Sequence, residues 1–133
     1  MIDSNVLVGL FLPGDRLNNR AFEVMNELEK EKKKLFVHPL VLIETLSILK
    51  YRNSLKLAIE AKKIILKSFV TDRNLGIISE KAEKIFERYE KMGLVDTILI
   101  DYCLTNKLEL ITFDKEMDKL WRKLLKSDYT SYK

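Results

Sequence analysis

Four carboxylates in this 133-residue chain stand where acids are costly to hold. Asp3 lies in Met1-Ile2-Asp3-Ser4-Asn5-Val6-Leu7, and Glu44 interrupts Leu40-Val41-Leu42-Ile43-Glu44-Thr45-Leu46. Asp96 interrupts Leu94-Val95-Asp96-Thr97-Ile98-Leu99-Ile100, and Asp114 closes Leu110-Ile111-Thr112-Phe113-Asp114. An ionised carboxylate loses hydration in an apolar setting unless something positive meets it. Four such groups point to a shared cation. An all-oxygen donor set suits a hard divalent ion, and with one His and one Cys in the chain Mg²⁺ or Mn²⁺ is favoured over Zn²⁺. Ions of that kind activate water and stabilise the charge of a phosphodiester transition state.

Positioning these acids requires elements that bring distant segments together. Short apolar runs alternate with longer amphipathic ones, which predicts an α/β layered fold with a mostly parallel sheet. Residues 1–5 read as a clipped first strand, followed by a short helix through Leu12 and a Pro13-Gly14 turn. Residues 16–34 carry Leu17, Ala21, Val24, Met25 and Leu28 at helical spacing. Residues 35–37 form a second strand, and Pro39 opens the helix that carries Glu44.

A helix follows over residues 55–67, then a short strand over 68–70. Ser79 is expected to cap a helix over 80–92, with Ala82, Ile85, Phe86 and Tyr89 facing inward. Gly93 breaks the chain before a helix over 96–106; the clearest strand covers 109–113, and a last helix 115–125. Residues 128–133 are expected to add an edge strand.

In open α/β sheets, sites form beyond the carboxyl ends of the strands. Asp3 and Asp114 are expected at such ends, with Asp96 and Glu44 leaning in from helices. Period-two geometry puts Asn5 on the side of Asp3 and Thr112 on the side of Asp114, as neutral partners that orient the carboxylates. Asp118, one turn beyond Asp114, is a further candidate on that face. Each acid also has a structural explanation. Asp96 and Asp114 sit at helix starts, where Asp caps free N–H groups. Asp3 fits a turn. Glu44 is expected on a largely buried face, where a Lys or Arg from elsewhere would be its structural partner.

Composition bounds the rest. The chain is 47% hydrophobic and 33% charged, the mixture of one globular domain over residues 1–133. The single Cys103 excludes an internal disulfide and fits a reducing cytoplasm. No stretch approaches the roughly 20 apolar residues of a membrane span, and the run from Val6 to Leu12 lacks the positive flank of a secretory signal. A complete, cytoplasmic chain is therefore expected. The net charge of +4 favours approach to a polyanion such as RNA without establishing it. Lys32-Lys33-Lys34 follows Glu27, Glu29 and Glu31 and reads as a solvated helix end. His38 is more often a packed or surface side chain than a ligand, and Cys103 is expected to be buried. Trp121, with Leu120, Leu124 and Leu125, packs either as core or in a dimer interface.

The chain resembles the PIN-domain nucleases, in particular the small toxins of VapBC-type toxin–antitoxin pairs. The residues that carry the resemblance are Asp3-Ser4-Asn5-Val6-Leu7, Glu44 in its helix, Val95-Asp96-Thr97-Ile98-Leu99-Ile100, and Leu110-Ile111-Thr112-Phe113-Asp114. Their order and approximate spacing follow the family over the full length. The resemblance implies a three-layer α/β/α sandwich around a short parallel sheet and Mg²⁺- or Mn²⁺-dependent endoribonuclease activity. It also implies a homodimer, silenced by a small antitoxin. Asp3, Glu44, Asp96 and Asp114 match the family's acidic positions, and Thr112 its hydroxyl residue beside the last acid. Two departures bear on the substrate groove: Asp101 and Tyr102 stand where small residues are usual, and Met117 stands where an aromatic is often found. The same residues also admit a PIN-fold scaffold or RNA-binding subunit that has lost catalysis, and a PIN nuclease of rRNA processing.

Overall fold

The structure is a computed structural model that describes residues 1–71 and 79–127. The expected edge strand over 128–133 lies outside the described residues. Two compact units make up the chain: Ile2–Asn74, and Met1 together with Leu75–Lys133.

In the first unit, α1 (Ser4–Phe11) packs on α2 (Asn18–Lys30) and on α3 (Pro39–Arg52), and α3 packs on α4 (Leu55–Ser68). Asp3 starts α1 by accepting the Ser4 N–H at 2.8 Å. That cap also shortens the expected strand over 1–5: from residue 2 to residue 5, strand-like backbone pairing is confined to Ile2, whose N–H meets the Phe36 carbonyl at 2.8 Å. Gly9 lets α1 and α2 approach tightly, since a Cβ there would meet the Ala21 Cβ and the Leu17 carbonyl oxygen at 3.3 Å. The expected helix over 16–34 is trimmed at both ends. Asp15 turns the chain by accepting the Leu17 N–H, and Lys32 adopts a left-handed φ of 53° that ends α2. The lysine run beyond it is exposed, as the sequence predicts.

His38 caps α3, its Nδ1 accepting the Leu40 N–H at 3.1 Å, and Pro39 occupies the first turn. A ring nitrogen that accepts is unprotonated, so this cap uses a neutral imidazole with its proton on Nε2. Ser54 caps α4. The sheet is parallel, β1 (Phe36–Val37) beside β2 (Val70–Thr71), with Phe36 opposite Val70 and Val37 opposite Thr71. Val8, Leu12, Leu49, Ala58 and Ala61 form a buried cluster between the helices.

In the second unit, α5 (Glu80–Arg88) packs on α6 (Leu94–Thr105), and α6 on α7 (Lys115–Lys126). Ser79 caps α5 by accepting the Ala82 N–H at 3.1 Å. The same hydroxyl donates to Asp101 Oδ2 at 2.6 Å, and Thr105 adds a second hydroxyl at Oδ1. Asp101 thus joins Ser79, at the start of α5, to α6. Ile85, Leu99, Ile100, Cys103, Met117 and Leu124 are buried here, and Cys103 is in no disulfide. Trp121 is buried within this unit, on the core side of the two alternatives. Phe86, expected inward, is 44% exposed.

The strand expected over 109–113 is reduced to a single bridge at Ile111, whose N–H meets the Met1 carbonyl at 2.8 Å. Thr112 explains the shortfall: its hydroxyl accepts the Asp114 N–H at 3.1 Å, a local bond that turns the backbone away from ladder pairing. No helix among the described residues is long and apolar enough to cross a membrane.

Candidate active site

Within the first unit, Asp3 and Glu44 converge on one serine. The Ser4 N–H donates to Asp3 Oδ1 at 2.8 Å, and the Ser4 hydroxyl donates to Glu44 Oε2 at 3.0 Å. Asp3 is only 5% exposed, and Ser4 is buried beside it. The chain separation of 40 residues between Ser4 and Glu44 is closed by the packing of α1 on α3. Ser4 is not among the site residues expected from the sequence. Its signal was visible, a hydroxyl directly after an acid at a helix start, where the backbone N–H serves the cap and leaves the side chain free to reach another element.

Glu44 departs from expectation. It is exposed, and the buried residues of α3 are Val41, Thr45 and Leu49. Those three recur every fourth residue and make a narrow inward row. At about 100° per residue, Glu44 lies about 60° from Val41 on the side away from Thr45 and Leu49. The structural alternative of a buried Glu held by a base is also not what forms: among the described residues, no Lys or Arg pairs with Glu44. Beside it, the Thr45 hydroxyl is buried without a hydrogen-bond partner among the described residues. Asn5 sits in the first turn of α1, so strand alternation does not relate it to Asp3; helical geometry does.

Within the second unit, Asp114 caps α7. Its Oδ1 accepts the N–H groups of Glu116 and Met117 at 3.0 and 3.1 Å, and the side chain is exposed to solvent. No basic side chain among the described residues pairs with it. Thr112 anchors the preceding backbone through the bond described above. Asp96 is half-buried in the first turn of α6, but the capping position belongs to Gly93, which has no side chain to offer. Asp96 Oδ2 lies 3.7 Å from where a Cβ on Gly93 would stand, so the carboxylate folds back over the helix start. A negative charge there complements the helix dipole. Asp118 forms an ion pair with Arg122, one turn on, at 2.9 Å.

The Met1 α-amino group donates to the Glu109 carbonyl, tying down the segment that leads to Thr112 and Asp114. Burial lowers its pKa below the ordinary 8.0, while Cys103 and Glu109 pull in the opposite direction.

The donor chemistry around Asp3, Glu44, Asp96 and Asp114 is carboxylate and hydroxyl oxygen, which fits a hard divalent cation in type. Among the described residues, no three or more His, Cys, Asp or Glu side chains are grouped so as to hold a metal ion. Each unit therefore supplies its own pair of acids: one stitched together by Ser4, the other held at two helix starts.

A PIN domain sequence profile matches residues 1–123. No curated protein matches the chain. Among solved structures, that of Mycobacterium tuberculosis VapC20, described as a sarcin–ricin loop cleaving toxin, superposes with a TM-score of 0.74 at 18% identity, covering 90% of this chain and 92% of that one. The expected α/β/α class, with its short parallel sheet, agrees with that fold. The chain belongs to the PIN domain family.

Proposed function

We propose that this protein is a Mg²⁺- or Mn²⁺-dependent endoribonuclease, acting as the toxin of a toxin–antitoxin pair. The observation that carries the reading is the match to the PIN domain over residues 1–123, with an acid at each of the four positions the resemblance singles out. The fold shared with a toxin that cleaves the sarcin–ricin loop supports the toxin assignment. A small antitoxin protein and a second copy of the chain are the partners this reading brings, in the cytoplasm.

Asp3, Asp96 and Asp114 would hold the cation, with Glu44 either a further ligand or the group that orients the attacking water. When bound, the cation lowers the pKa of water and offsets charge on the phosphodiester oxygens. The protein's own contribution is placement. Ser4 fixes the carboxylate of Glu44 by donating to one oxygen, which leaves the other for water or metal. Thr112 fixes the backbone from which Asp114 projects. Water attacks phosphorus in line, one P–O bond forms as the other breaks, and no side chain needs to act as nucleophile.

The test is cleavage of a labelled RNA by the purified chain with Mg²⁺, with Mn²⁺ and with EDTA. Cleavage is expected with either ion, to stop in EDTA, and to be lost in Asp3→Asn and Asp96→Asn proteins of unchanged thermal stability. Undiminished metal-dependent cleavage by the double variant would overturn the reading.

A further inference from the structure

A cavity of about 380 Å³ opens in the second unit, where the turn after α5 meets the outer face of α7. Met92 and Leu120 lie within its lining and are buried, and the walls carry Arg88, Lys91, Lys119 and Lys123 against Glu90 and Glu116. Among the described residues, no carboxylate pairs with Lys91, Lys119 or Lys123, so the excess positive charge is not consumed internally. Tyr89 also lines the cavity, and the Lys123 ammonium sits 5.4 Å from its ring centroid. Unlike the solvated lysines after α2, these cations surround a concave site with an aromatic wall.

We propose that this cavity is a docking site for single-stranded RNA, taking phosphates on Lys119, Lys123 and Lys91 and a base against Tyr89. The combination of cationic tracks with an aromatic stacking surface is what sequence-tolerant single-strand binding requires. An acidic peptide would use the charges but leave the ring without a planar partner. Lys123 is long enough to leave the ring for a phosphate when a base takes its place. Position supports the role. Asp114 caps the helix on which Lys119 and Lys123 lie, and at about 1.5 Å per residue they stand about 8 and 14 Å along the axis from that acid. That spacing suits the flanking backbone of a strand whose cleaved bond lies near Asp114. The identity of the polyanion rests on the nuclease reading above.

The experiment is fluorescence anisotropy with the full chain and a labelled single-stranded RNA of about 12 nucleotides, in EDTA so that cleavage does not intervene, across a salt series. The Lys119→Gln/Lys123→Gln protein is expected to bind about tenfold more weakly and to lose about 1.4 from the slope of log affinity against log salt, about 0.7 per phosphate contact. Tyr89→Leu is expected to lose about tenfold with the slope unchanged, because stacking releases no counterions. The control, Lys62→Gln/Lys63→Gln on exposed α4 positions, removes the same charge and is expected to stay within about twofold of wild type.

Equal losses in both lysine pairs, an unchanged slope, no loss in Tyr89→Leu, or a polyglutamate peptide that binds as tightly as the RNA would each overturn the proposal. Equal melting temperatures confirm that the variants fold. The outcomes also separate the two readings. RNA binding that depends on these lysines without cleavage under any metal retains this site and removes the nuclease. Cleavage that dies in Asp96→Asn, with RNA binding unaffected by the lysine pair, does the reverse.

Discussion

The two pairs of acids are held in opposite ways. Asp3 and Glu44 come from segments far apart in sequence, and a buried serine on α1 joins them. Asp96 and Asp114 are each placed by their own helix start, within a few residues of backbone, and Asp114 faces solvent. The first pair depends on the packing of α1 against α3 and is exposed to any change that shifts one helix. The second is set by local geometry and carries a structural duty of its own. Mutations should therefore separate the charge of an acid from its capping role in the second unit, and the placement of an acid from its charge in the first.

The largest effects are expected at the acids themselves. Asp3→Asn and Asp96→Asn should lower RNA cleavage by more than the roughly 100-fold that loss of an outer partner costs at a metal site. Ser4→Ala should follow, with a drop of about 10- to 100-fold in turnover, because Glu44 loses the donor that orients it. The Ser4 backbone N–H still caps through Asp3 in that variant, so the melting temperature should move little. A Ser4→Ala protein with wild-type turnover would show that the two acids do not need their common hydroxyl.

Asp114 offers the sharper contrast. Asp114→Asn keeps a good N-cap and should leave stability nearly unchanged while cleavage falls. Asp114→Ala should lose cleavage and also about 1 kcal/mol of stability, read from chemical denaturation. Equal stability in the two variants would mean that the bonds to Glu116 and Met117 contribute nothing.

These two placements also mark how far the sequence could be read. Capping residues were legible because their chemistry is local: Ser79 and Asp114 accept from N–H groups two or three positions away. Strand lengths were not. The segments at 1–5 and 109–113 have the apolar composition of strands, yet Asp3 and Thr112 bond to nearby N–H groups and cut the pairing to single bridges. The exposure of Glu44 was equally hidden. Its neighbours at three and four positions are largely apolar, and the difference between facing inward and outward is a rotation of about 60° that depends on which row α1 and α4 cover. The helix expected to start at Asp96 begins earlier, with Gly93 at the capping position, so Asp96 is its third residue.

The smallest effect concerns pH. Burial lowers the pKa of the Met1 amino group below its unfolded value of 8.0. Between the lowered value and 8.0 the unfolded chain binds more protons than the folded one, so stability rises with pH across that window and is lost as pH falls from about 8. Denaturation midpoints measured downward from there should decline; a flat profile would show that burial does not lower the pKa of this amine.

In the proposed function, acids from both pairs serve one divalent ion. Titration calorimetry with Mn²⁺ on the wild-type chain, on Asp3→Asn and on Asp96→Asn decides between a shared ion and separate acids. Binding is expected in the wild type and is expected to be abolished in each variant, one from either pair. Undiminished Mn²⁺ binding in both variants would mean that the two pairs share no ion.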